Sequence, residues 1–250
     1  SSDLEVILET FDFDSDPDLL DEAARGRRLM VEHGLSKYNF AYPQQTLPFG
    51  PKSRRRILVI GQVESDASIR FGASEGMTNN DLVRLARQEN PDAQIIYKIH
   101  PDVLAGKRAY KSDPADVEDI CEIHATPLTL QNAFDGVDHV YCITSLAGFE
   151  ALMRDIPVTT VGMPFYSGWG LTDDRAHCTR RTRRLTLDQL FAGAYLLYAR
   201  YADPQTGQPL RLEEVIGRIR FELTSFPEDD GQTPALSLST FSDQPTEGAA

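Results

Sequence analysis

The stretch Arg56-Ile-Leu-Val-Ile-Gly-Gln-Val-Glu-Ser-Asp-Ala-Ser68 decides how the rest of the chain is read. Ile57 to Ile60 is a short, unbroken apolar run rich in β-branched residues, the pattern of a buried strand. Gly61 ends it, and polar loop residues follow. The same grammar returns at Gln94-Ile-Ile-Tyr-Lys-Ile99, Val137-Asp-His-Val-Tyr-Cys-Ile143 and Val158-Thr-Thr-Val161. Helical patterns separate these runs at Asn80 to Glu89, Thr129 to Phe134 and Leu146 to Arg154. Strands alternating with helices of this length imply right-handed βαβ units, and hence a Rossmann-like α/β domain over 56–224: a parallel sheet with helices on both faces.

Outward from that core the signals weaken. Residues 1–55 read as an acidic entry segment and interdomain connection, with a short amphipathic helix over Leu19 to His33. Gly34, Pro43, Pro48, Gly50 and Pro51 are too many turn residues for a regular element. Two further helices are expected at Leu187 to Tyr201 and Leu212 to Phe221. Residues 225–250 are rich in Ser, Thr, Pro, Gly and acids, a composition expected to stay mobile.

The formal net charge is −13, which argues against nucleic acid as a partner, because affinity for it comes largely from neutralising phosphates. Cys121, Cys142 and Cys178 are too scattered for a disulfide framework or a thiolate metal site. No apolar run approaches the roughly 20 residues of a membrane-spanning helix. The first residues lack the basic and apolar regions of a secretory signal, so a cytoplasmic location is expected.

In an open parallel sheet, ligands bind beyond the carboxyl ends of the strands, and the unusual residues lie just there. Asp66 and Glu64 follow the first strand; each is a candidate base or nucleophile, or simply a loop acid or helix cap. Lys98, His100 and Pro101 close the second, where the imidazole can donate to a phosphate or merely satisfy a carbonyl. Lys107 and Arg108 nearby favour the phosphate role. Thr144 and Ser145 open a helix, as an anion site, as a cap, or as both. Glu150, farther along that helix, can reach a ribose diol or balance the helix start. Pro164-Phe-Tyr-Ser-Gly-Trp-Gly170 sets Tyr166 and Trp169 in a non-periodic loop, which reads as a cover over a ligand. No carboxylate pair or His cluster has metal-ligand spacing, and neither a Walker loop nor a GxGxxG follows the first strand. Kinase and NAD-dependent chemistry therefore lose support.

Six segments in order resemble the KpsC-type capsule polysaccharide proteins, which are retaining β-Kdo transferases using CMP-Kdo. They are Gly34-Leu-Ser-Lys-Tyr-Asn39, Gly61-Gln-Val-Glu-Ser-Asp-Ala-Ser-Ile69, Lys98-Ile-His-Pro101, Thr144-Ser-Leu-Ala-Gly-Phe-Glu-Ala-Leu152, Gly162-Met-Pro-Phe-Tyr-Ser-Gly-Trp-Gly-Leu-Thr172 and Tyr201-Ala-Asp-Pro204. The resemblance implies the C-terminal, nucleotide-binding half of a GT-B-type glycosyltransferase. By that analogy His100 and Ser145 contact the phosphate of CMP-Kdo, Lys98 helps neutralise it, Glu150 lies near the ribose, and Asp66 takes part in retaining transfer. A donor with one phosphate can leave without a divalent metal, so no cofactor is expected. The implied partners are the CMP-sugar, a saccharide or glycolipid acceptor, and capsule assembly machinery at the inner membrane. Only about 55 residues precede the first strand, so a part of a longer enzyme is expected, transferase or non-catalytic nucleotide-binding module. A paired-Rossmann epimerase would instead prefer UDP-sugars.

Overall fold

The computed structural model describes residues 2–36, 48–126 and 128–225. Lys37 to Asn39 of the first resemblance segment and residues 226–250 of the expected mobile tail lie outside the described residues, while Ser225 ends a helix. The chain opens with two helices, α1 (Asp3–Thr10) and α2 (Pro17–Glu32). An alternating series follows: β1 (Arg56–Ile60), α3 (Ala67–Gly72), α4 (Asn79–Glu89), β2 (Gln94–Lys98), α5 (Pro101–Leu104), β3 (Glu122–His124), α6 (Leu130–Phe134), β4 (His139–Cys142), α7 (Leu146–Leu152), β5 (Val158–Thr160) and β6 (Asp173–Asp174). Helix α8 (Leu187–Phe191) runs into a π-helical stretch, Ala192–Tyr198, and α9 (Leu212–Ser225) closes the described chain.

The six strands form one parallel sheet in the order β3-β2-β1-β4-β5-β6. This is the doubly wound Rossmann order, and it bears out the α/β reading. Alternation along β1 explains its unbroken apolar run. Leu58 and Ile60 face a core shared with α2, α6, α7 and α8, whereas Ile57 and Val59 face a second core with Leu82, Val83 and Ala86 of α4. Both faces are covered, so no position in the strand is left for a solvent-facing residue.

Strands β3 and β6 and helices α1, α3 and α5 are not among the expected elements. β3 and β6 are only three and two residues long and carry polar side chains. Their pairing is dictated by β2 and β5 rather than by apolar pattern. Helix α1 falls within the expected acidic entry segment, and its charge is compensated: the buried Glu5 is paired with Arg180 and Arg181. Arg183 donates to the carbonyls of Leu8, Glu9 and Phe11, closing the orphaned end of α1. The helix also packs on the π-helical stretch, where a Cβ on Gly193 would lie 2.5 Å from Leu8. Among the described residues no helix is long and apolar enough to cross a membrane.

Candidate functional site

Chain order reverses between β1 and β4, so the loops that leave them diverge and open a crevice at the carboxyl edge of the sheet. A cavity of about 570 Å³ occupies it, a size suited to a small-molecule ligand. Asp66, Lys98, His100, Pro101, Thr144, Ser145 and Glu150 all line it. The residues expected after three separate strands are therefore brought together.

Lys98 is the last residue of β2, and its side chain is buried, with 5% exposure. Desolvation pushes its ammonium down to about 8, with no carboxylate among the described residues acting against it. Across the ladder, His124 of β3 is pushed down by burial and by the Lys98 charge. A buried cation that lines a cavity and forms no salt bridge with a described residue is a place where an anion gains more than it would in water.

His100 caps α5, its Nδ1 accepting from the Asp102 amide at 3.1 Å. An amide can only donate, so in the neutral ring the proton sits on Nε2, the tautomer that can donate to a ligand. Pro101 fills the first helical position, where its missing N–H costs nothing. Asp66 caps α3 by accepting from the Ser68 amide at 2.7 Å, and it remains exposed at the cavity. Capping orients that carboxyl without removing it from the site.

Thr144 is held by Gln62, a residue that pattern reading passed over. Gln62 Oε1 accepts from the Thr144 amide at 2.7 Å and its Nε2 donates to Thr144 Oγ1 at 3.1 Å. Thr144 Oγ1 reaches Ser68 Oγ at 3.2 Å. Gln62 is itself pinned on both backbone groups by the side chain of Asn79. A glutamine in a loop gives no signal of this kind, since its partner lies 82 residues away. Ser145 caps α7 through the Ala147 amide, and Glu150 is buried on the same helix, its carbonyl accepting from Arg154.

Two expectations are corrected. Glu64 is not at the cavity. Its Oε1 accepts from the Asn79 amide at 2.6 Å and from Ser112 Oγ, and its Oε2 from the amides of Lys111 and Ser112 at 2.9 Å each. A buried carboxylate with both oxygens committed to holding three segments is structural. Tyr166 and Trp169 are likewise outside the cavity, both fully buried. Trp169 donates to the Phe165 carbonyl and carries Arg181 on its ring, and Tyr166 donates to the Ser145 carbonyl. Their loop packs beneath α7 rather than over a ligand: Gly148 is required there, since a Cβ would meet the Tyr166 hydroxyl at 2.2 Å.

A parallel sheet in this order, with a crevice at its reversal point, defines a Rossmann-like α/β protein. More narrowly, the chain belongs to the capsule polysaccharide biosynthesis protein family, whose model matches residues 27–202. It is 46% identical over 239 residues to the lipopolysaccharide-processing protein LpsZ of Rhizobium meliloti, covering 94% of this chain and 54% of that protein. It is 42% identical over 212 residues to the capsule polysaccharide modification protein LipA of Neisseria meningitidis, covering 85% of this chain and 30% of LipA. The chain thus spans about half, or less, of the curated relatives it matches. Among solved structures it resembles Thermosulfurimonas dismutans KpsC, a beta Kdo 2,4 transferase, with TM-score 0.78 and 36% identity over 88% of this chain and 68% of that one. The beta Kdo 2,7 transferase of the same organism matches with TM-score 0.70 and 37% identity, over 88% of this chain and 67% of the other.

Proposed function

We propose that this chain is the donor-binding half of a glycosyltransferase of the GT-B type, which moves Kdo from CMP-Kdo with retention onto a saccharide or glycolipid acceptor in capsule assembly. The observation that carries the reading is Lys98, a buried ammonium lining the cavity beside His100 and Ser145. A single phosphate supplies a direct partner to an ammonium that is in no salt bridge with a described residue. The likeness to two Kdo transferases supports the sugar.

In this reading Asp66 attacks the anomeric carbon, and the bond from that carbon to the phosphate oxygen breaks, its electron pair leaving on CMP. Lys98 and the His100 Nε2–H stabilise the departing phosphate, so no metal is needed for that charge. The acceptor hydroxyl then attacks the same carbon, loses its proton to solvent and displaces Asp66. Two inversions amount to retention. The reaction lies on the cytoplasmic side, peripheral to the inner membrane.

Titrating CMP, CMP-Kdo and a UDP-sugar into the chain tests the donor. Saturable CMP binding with no UDP-sugar preference is expected, and the reverse preference overturns the reading in favour of an epimerase. A second reading is a non-catalytic nucleotide-binding module that keeps the same pocket. Kdo transfer by a parent-length protein, lost in its Asp66→Asn variant, separates the two.

A further inference from the structure

The cavity mouth carries a second cationic feature. Between α5 and the Glu64 anchor, residues 105–112 form an exposed loop that includes Lys107 and Arg108, and Arg108 lines the cavity. Neither cation is in a salt bridge with a described residue, whereas eight arginines elsewhere in the described residues are. The loop is fixed at both ends. At its start the amides of Lys107 and Arg108 both donate to the Asp102 carbonyl, at 2.9 and 3.1 Å, across a turn made by Gly106 at φ +68°. At its end the amides of Lys111 and Ser112 are held by Glu64, and Lys111 Nζ returns to the Glu64 carbonyl at 3.2 Å. The buried Glu64 thereby ties the loop to the segment that carries Asp66. Backbone held so firmly beneath two uncompensated side chains is the arrangement of a preorganised anion contact.

We propose that this loop is a second anion subsite, in which Arg108, assisted by Lys107, binds the carboxylate of an acidic sugar at the cavity mouth, apart from the phosphate position at Lys98 and His100. The inference rests on the donor reading above, because Kdo carries a carboxylate on its anomeric carbon. Two ligands present that group: the donor, and an acceptor that ends in Kdo. The planar guanidinium suits a carboxylate through paired N–H donors, and Lys107 adds charge without geometry.

The test compares the chain with its Lys107→Gln/Arg108→Gln variant, both exposed substitutions, by calorimetric titration at low salt with CMP, CMP-Kdo and a Kdo-terminated oligosaccharide. Loss of about fivefold or more in affinity for a carboxylate-bearing ligand, set against a CMP change of less than about twofold, is expected. A loss confined to CMP-Kdo assigns the donor's carboxylate, and a loss confined to the oligosaccharide assigns the acceptor's. Arg108→Lys should lose less than Arg108→Gln. Equal weakening of CMP, or no change with either Kdo ligand, overturns the subsite. Wild-type protein that binds the oligosaccharide but not CMP sinks the donor reading while leaving the subsite measurable, and failure to bind all three overturns both.

Discussion

At the scale of single residues, Lys98 works against the fold that holds it. Its ammonium is held near 8 in the folded chain against an ordinary 10.5. Below pH 8 both folded and unfolded chains carry the charge, and the folded one bears the desolvation cost. Between about 8 and 10.5 the folded chain releases the proton first, so stability rises with pH across that window. A bound anion favours the charged form, so CMP affinity should fall as pH climbs through about 8. Lys98→Met should therefore raise the unfolding free energy, by up to about 3 kcal/mol, while CMP binding drops; thermal melts and titrations on one sample check both. A variant that is less stable and binds CMP as before would remove the anion-site reading. His100→Ala should weaken CMP by about 1–3 kcal/mol with little change in melting, the cost of one charge-assisted hydrogen bond. Glu64→Gln should behave in the opposite way. Whichever way it is placed, its amide would turn a donor toward at least one backbone N–H, so a loss of about 1–3 kcal/mol of stability is expected, visible in urea unfolding.

Elements show which parts of the molecule local pattern can reveal. β1, β2, β4 and β5 announce themselves because both of their faces are buried and their central positions are apolar or neutral, with the charged Arg56 and Lys98 only at strand ends. β3 and β6 do not, since Glu122 and Asp173 are strand residues only by virtue of the neighbour they pair with. The lining residues Asp66, Lys98, His100 and Ser145 were legible because strand ends are legible, and site residues follow them. Gln62 was not, because its role is a contact with Thr144 across the reversal point. Tyr166 and Trp169 misled for a related reason: a loop without period can still be core when a helix such as α7 presents Gly148 to it. The clamp makes its own prediction. Gln62→Ala should loosen the start of α7 and weaken CMP by about 1–2 kcal/mol, with faster amide exchange at 144–147 than at β1. Unchanged exchange there would mean that the two loops are held by something other than this side chain.

Across the whole molecule, the first helix and the last third of the domain form one body. The Arg181 side chain is only 8% exposed, and from a single guanidinium it reaches Glu5 of α1, the carbonyls of Pro164 and Ser167, and the face of Trp169. Glu5→Ala strands that charge, so a loss of about 3 kcal/mol or more is expected. Hydrogen exchange should report the damage in residues 164–170 as well as in α1, whereas damage limited to α1 would show that the two are independent. That same guanidinium has a consequence for how the family can diverge. An acid at position 5 and a base at position 181, 176 residues apart, must be inherited together or exchanged together. Lineages that drop one should drop the other, leaving a co-varying pair that marks which relatives still fold their N-terminal helix against this domain.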